Sequence, residues 1–386
     1  MEQIKICIGA DFVPTDINKK YFENGQIEKI LSKEIINILS NADLNIFNLE
    51  MPLATTYTPI DKCGPTLVAS PNCVALYQKI PNIFLGLANN HIMDQGEQGL
   101  LSTIHTLRQQ NILYAGVGKN INEAKQPFMF KRNGLIVGIY LCAEHEFSVA
   151  TENSMGANPF DVLECYDDVQ CLKQKCDYVI VLYHGGKEYY RYPSPMLQRY
   201  CRKFIDKGAD LIICQHSHCI GAKEIYNGGT IIYGQGNFLF NYNITDETKE
   251  FLKTGLLFEI ILNKQEMSLK EIPVVRTEAG NRLANSSEKN QILAEYNERN
   301  QNILRPEFIQ SEYAKFADKY IDLYLNSFLG RSVLIRVFNR LCHRKLARFL
   351  LEKKDYLAME NFVECEAHLE LFLKGIKNIS NKVDKK

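Results

Sequence analysis

Ala209-Asp210-Leu211-Ile212-Ile213-Cys214-Gln215-His216-Ser217-His218 is an apolar run closed by two histidines one residue apart. In a helix that spacing would turn the imidazoles about 200° from each other, so the pair belongs to a strand end or a loop. Four other runs end in the same manner. Asp11 follows Ile4 to Gly9, Glu50 follows Leu44 to Asn48, Asn90 follows Ile83 to Leu87, and His184 follows Tyr178 to Leu182. Short runs rich in β-branched residues and separated by helical stretches read as buried strands of an α/β sheet. Ligands of such sheets gather beyond the carboxyl ends of the strands. The pattern therefore predicts five loops converging on one rim. Carboxylate, amide and imidazole donors together suit one or two divalent transition metals, Mn, Fe or Zn, whereas Ca and Mg rarely recruit several histidines.

The 386 residues can bury a sizeable core, and 46% hydrophobic with 23% charged residues is ordinary for a globular chain. Forty-five basic against 45 acidic residues leave no global field to recruit nucleic acid. Met1 to Lys5 lead straight into the first strand without a basic n-region and apolar h-region, and no 18-residue apolar run follows; the expectation is a cytoplasmic protein, peripheral at most to the inner membrane face. Twelve cysteines contain no Cys-x-x-Cys pair, and Cys7, Cys142 and Cys214 sit inside apolar strands, so they read as reduced, buried thiols.

Short apolar runs alternate with amphipathic segments over residues 1–275, which reads as one layered α/β domain. Helices are expected at Ile27 to Leu39, Gln98 to Gln110, Val162 to Lys175 and Pro195 to Lys207. Residues 276–302 turn polar and read as a linker. Residues 303–386 carry apolar side chains at three- to four-residue steps, which predicts a C-terminal appendage of three amphipathic helices.

Several residues gain meaning from their neighbours. Asn90 can offer a carbonyl oxygen to a metal, while His91 points elsewhere and suits an outer acid or hydrogen-bond donor, its ring oriented by Asp94. The plain alternative is a capped loop before a helix. Asp11 and Glu50 could equally cap the next element, but a carboxylate can also bridge two cations about 3.5–4 Å apart. His184 precedes Gly185 and Gly186, which let a backbone approach a ligand. His105, His343 and His368 read as surface or packing residues, and His145 could reach the rim.

These segments, in this order, resemble the bacterial capsule-synthesis CapA family, linked to poly-γ-glutamate and similar to calcineurin-like metallophosphatases. The resemblance rests on Gly9-Ala10-Asp11, Asn48-Leu49-Glu50, Ala88-Asn89-Asn90-His91 with Asp94 and Gly96, Ala115-Gly116-Val117-Gly118, His184-Gly185-Gly186-Lys187-Glu188-Tyr189, His216-Ser217-His218 and Tyr233-Gly234-Gln235-Gly236-Asn237-Phe238. It implies a four-layer sandwich: two packed mixed sheets flanked by helices. Asp11, Glu50, Asn90, His184, His216 and His218 would be the metal ligands, with His91 and Asp94 as the catalytic pair. Val13 stands where a calcineurin-like Asp-x-His motif would supply another ligand. Gly185 and Ser217 replace the tryptophan and proline of the His-Trp-Gly and His-Pro-His motifs.

The implied activity is that of a metal-dependent hydrolase acting on a phosphoester or a capsule-type polymer such as poly-γ-glutamate. The alternative is a non-catalytic accessory subunit of a polymer-synthesis complex with a degenerate metal site. One local anomaly stands apart: Arg331 to Lys354 hold eight basic residues against Glu352 alone, a net of +7. Arg336, Arg340 and Arg344 recur every four residues beside Val333 to Leu341. Segment 331–354 could therefore meet an anionic membrane surface or a polymer-synthesis partner, or else form the solvated face of a packed cap.

Overall fold

The computed structural model describes residues 3–240, 251–330 and 332–383. Two mixed sheets dominate the first of two compact units, Met1–Gln310. In the seven-stranded sheet the order is Asn281–Leu283, Met267–Arg276, Thr254–Leu262, Ile4–Asp11, Leu44–Asn48, Ile83–Gly86 and Leu113–Ala115. In the six-stranded sheet it is Lys223–Tyr226, Gly229–Ile232, Leu211–Gln215, Tyr178–His184, Leu135–Ala143 and Phe128–Arg132.

Alternation along the strands sorts side chains into three cores. Ile180 and Leu182 face Ile4, Ile6, Ile8 and Phe258 between the sheets. Val179, Val181 and Tyr183 point the other way, against Val169, Leu172, Cys201 and Phe204 of helices Cys165–Lys173 and Pro195–Asp206. Phe47, Leu85 and Leu257 cover the far side of the first sheet with Phe22, Ile35, Leu100 and Leu107 from the other helices. The result is the expected helix, sheet, sheet, helix sandwich. Ile4–Asp11, Leu44–Asn48 and Ile83–Gly86 run parallel to one another, as do Tyr178–His184 and Leu211–Gln215. Each set thus brings its carboxyl ends to a common edge.

Three expectations change. Ile27 to Leu39 is not one helix but Ile27–Ile30 and Lys33–Ser40, because Leu31 bridges Asn281 and the Ser32 amide donates to Asn281 O at 3.0 Å. The polar stretch 276–302 supplies the edge strand Asn281–Leu283 and helix Ser286–Asn302, opened by a capping box in which Asn285 and Glu288 bond each other's backbone amides. Ile292 and Tyr296, four residues apart, bury that helix in the intersheet core, and two anchors among so many polar residues left little periodicity to read. The second unit, Ser311–Lys386, follows the start of helix Phe308–Phe328. It continues as Val333–Leu341, Leu346–Leu350, Lys353–Glu364 and Glu366–Val383, so that five helices among the described residues take the place of the three expected, the last two parted at Cys365.

Candidate metal centre

Six side chains from five strand ends converge where the pattern predicted. Asp11 closes its strand after a register shift between Ile8 and Asp11, an irregularity of the kind that re-aims a side chain. Its carboxylate is held by a chain of amides: Asn89 Nδ2 donates to Asn48 Oδ1 at 3.1 Å, and Asn48 Nδ2 donates to Asp11 Oδ1 at 2.6 Å. Glu50 is fully buried. His184 Nε2 lies 3.0 Å from Glu50 Oε1 and 3.0 Å from Asn90 Oδ1. His216 Nδ1 lies 3.8 Å from Glu50 Oε1, and His218 Nδ1 lies 3.5 Å from Asp11 Oδ2 and 2.8 Å from Asn237 Oδ1.

The donor atoms form three overlapping groups, each within 4.8 Å: Glu50 with His184 and His216, Asp11 with Glu50 and His218, and Glu188 with His216 and His218. Glu50 belongs to two groups, the arrangement a bridging carboxylate needs. The chemistry of these atoms fits a cation. Among the described residues neither carboxylate oxygen of Glu50 takes a hydrogen bond, although His184 Nε2 approaches Oε1 to 3.0 Å, and His216 Nδ1 is also without a partner. A buried carboxylate without donors is costly unless a positive charge meets it.

Electrostatics point the same way. Burial favours the neutral acid of Glu50, but the charge of His184 and the nearby His216 and His218 outweigh it and hold the carboxyl well below the usual range. Burial likewise opposes a charged His218, yet the Asp11 hydrogen bond and the charges of Glu50 and Asp11 push its pKa up to about 10. His216 moves up for the same reason, with Glu50 overcoming burial. These imidazoles are surrounded by negative charge that a cation would neutralise.

The local backbone is bent to present them. His216 and His218 have φ of 85° and 54°, a left-handed conformation that costs a non-glycine residue about 1–3 kcal/mol and that clusters at functional sites. Ser217, in place of the motif proline, accepts at its carbonyl the Tyr189 amide at 2.9 Å, tying the two histidine loops together. A Cβ on Gly185 would stand 2.6 Å from the Glu144 side chain and 2.7 Å from the Tyr183 ring, so this packing leaves no room there for the motif tryptophan. Val13 is fully buried in the helix-side core.

Beside the cluster, Asp94 Oδ2 lies 2.6 Å from His91 Nδ1 and also accepts the Leu67 amide at 2.7 Å. Sequence reasoning missed the third member, Lys62, whose side chain is 2% exposed and whose Nζ is 2.7 Å from Asp94 Oδ1. Lys62 lies in an irregular stretch with no periodicity to betray it. His145 is exposed; its neighbour Glu146 reaches the rim instead, accepting from Asn90 Nδ2 at 3.1 Å and lying 4.0 Å from His216 Nε2. Asn48, Glu188 and Asn237 were in view within the motifs, but only their placement reveals their contacts. His105, His343 and His368 are exposed, and all twelve cysteines are free.

The family model described as bacterial capsule synthesis protein PGA_cap matches residues 6–242, which include every candidate ligand. Capsule biosynthesis protein CapA of Bacillus anthracis is 29% identical over 252 residues, 61% of each chain. PGA biosynthesis protein CapA of Bacillus subtilis (strain 168) is 32% identical over 164 residues, 42% of this chain and 43% of that one. A probable polyglutamine synthesis accessory protein of Mycobacterium tuberculosis is 27% identical over 233 residues, 54% of this chain and 59% of that one. The matches thus span less than two thirds of these relatives. Among solved structures, one described as a novel phosphatase from Mycoplasma pneumoniae aligns with a TM-score of 0.42 at 17% identity, over 75% of this chain and 98% of that one. With more than half of its length matched by the family model, the chain belongs to the family of bacterial capsule synthesis proteins, PGA_cap.

Proposed function

We propose that the chain is a metal-dependent hydrolase of metallophosphatase type that serves capsule or surface-polymer synthesis, acting on a phosphoester or on a poly-γ-glutamate-like polymer. The observation that carries the reading is Glu50, a fully buried carboxylate with no hydrogen-bond donor among the described residues, beside the imidazoles of His184 and His216. Asp11, Glu50, Asn90, His184, His216 and His218 would hold one or two ions of Mn, Fe or Zn, with Glu50 common to both positions. Such ions supply Lewis acidity to a phosphoryl or acyl oxygen. Asp94 fixes the His91 ring through Nδ1, leaving Nε2 to pass a proton to the leaving group. Lys62 holds Asp94 from its other oxygen and so keeps that ring in place. Twelve free cysteines support a reducing, cytoplasmic setting.

The test is turnover of phosphomonoesters, phosphodiesters and γ-glutamyl polymer by metal-loaded protein and by His91→Gln. The reading expects the variant to keep its metal and lose about 10²–10⁴-fold in turnover. It fails if the wild type turns over none of these substrates or if His91→Gln matches it. A second reading is favoured by the mycobacterial relative, described as an accessory protein. On that reading the chain binds polymer or synthase without turning anything over, and polymer binding by an inert wild type would select it.

A further inference from the structure

The second unit turns an apolar face outward where a packed helix would turn it in. In helix Val333–Leu341, Val333, Leu334, Val337, Phe338 and Leu341 are 67%, 72%, 52%, 56% and 70% exposed, whereas Ile335 and Asn339 are half-buried. At about 100° per residue the five exposed apolar side chains share an arc of about 140°, with Ile335 and Asn339 opposite and Arg336 and Arg340 flanking one border. The helix is capped by Ser332, whose Oγ accepts the Ile335 amide at 3.3 Å. After it, His343 and Arg344 adopt φ of 51° and 63° in a turn pinned by Asn326 Nδ2 donating to Arg344 O at 2.7 Å. That turn holds Arg344 and Lys345 exposed, and the next helix presents Phe349 and Leu350 at 74% and 60% exposure.

The charges are as bare as the apolar arc. Among the described residues Arg336, Arg340, Arg344 and Lys345 make no ion pair, while Arg348 is engaged by Asp322 at 2.5 Å and Glu352 by Lys354 at 3.0 Å. Concentrated exposed apolar surface marks an interaction site, and like charges four residues apart repel until an anion meets them.

We infer that residues 332–350 dock the chain on an anionic phospholipid bilayer. Such a surface covers both features at once: the apolar arc enters the acyl boundary while the guanidinium groups reach the headgroup phosphates. A polyanionic polymer would pair the cations but leave the valines, leucines and phenylalanines in water. A second copy docked by two-fold symmetry would bring the same arginine-bordered patch against itself. The mode is docking, since no helix among the described residues is long and apolar enough to cross a membrane.

The chain contains no tryptophan, so Phe338→Trp in the 386-residue chain is a background-free reporter. Vesicles of phosphatidylcholine with about 30% phosphatidylglycerol should pellet the chain and blue-shift this tryptophan at low salt, and about 0.5 M salt should release it; pure phosphatidylcholine should do neither. Arg336→Gln with Arg340→Gln should lower partitioning by about fivefold per charge, about 25-fold together, with unchanged circular dichroism. The inference is overturned if the unsubstituted chain does not pellet with anionic vesicles, or if the double variant pellets equally well. It is also overturned if emission is already blue and indifferent to lipid, which would mean that protein covers the face; sedimentation velocity would then tell a second copy from the chain itself. Leu341→Trp repeats the test should Phe338→Trp disturb the helix.

Discussion

Replacing Lys62 by methionine, which keeps the stem and removes the charge, should destabilise the first unit by about 3–5 kcal/mol. The magnitude follows from burial. The Lys62 and Asp94 side chains are 2% and 0% exposed and their charged atoms are 2.7 Å apart. An exposed pair at that distance would contribute at most about 1 kcal/mol, but removing one partner of a buried pair strands the other without solvent. Asp94→Asn should also be costly, because the same carboxylate serves His91 Nδ1 and the Leu67 amide. The double variant should cost less than the sum of the singles by about 2–3 kcal/mol, since it strands no charge. Urea unfolding followed by the fluorescence of the 20 tyrosines would measure all three. A loss below about 1 kcal/mol for Lys62→Met, or additive singles, would refute the reasoning and mean that water reaches the pair.

Asn90→Ala should weaken metal retention while His91→Ala preserves it, as elemental analysis of the two variants would show; the reverse pattern would exchange their inner and outer assignments. In chelator-treated protein the folded pKa of His218, about 10, exceeds the unfolded value of about 6.5, so its contribution to stability is full below about 6.5 and lost as pH rises through about 10. Metal must displace that proton, and its affinity should therefore rise about tenfold per pH unit across this window; a flat calorimetric profile would contradict the pairing with Asp11 and Glu50. The Glu288 carboxyl, bonded twice by Arg282 and once by the Asn285 amide, is lowered to about 2. Its contribution to the helix cap is present above about pH 4.3 and lost as pH falls through about 2, and an NMR midpoint near 4 would exclude the bonded geometry.

The convergence of the candidate side chains was legible because each apolar run stops at a metal-suited residue, and parallel strands carry those stops to one edge. Lys62 was not, since a single lysine in an irregular stretch looks solvated until the fold closes around it. His145 and Glu146 show the limit of position alone: neighbouring side chains leave a loop in different directions, and only the backbone decides which reaches the rim. Residues 276–302 were misread because Arg299 and Asn300 are buried by bonding backbone, Arg299 Nε to Gly221 O at 2.9 Å and Asn300 Oδ1 from the Lys223 amide at 2.6 Å. A polar sequence with tertiary partners resembles a linker in composition.

The central claim is that Glu50 and the surrounding imidazoles hold a cation. Elemental analysis of the purified chain beside His216→Ala/His218→Ala tests it most directly. One or two equivalents of Mn, Fe or Zn in the wild type and loss of that metal in the double variant is the predicted result. Equal metal in the two proteins, or none in wild-type protein purified without chelator and offered these ions, would contradict it.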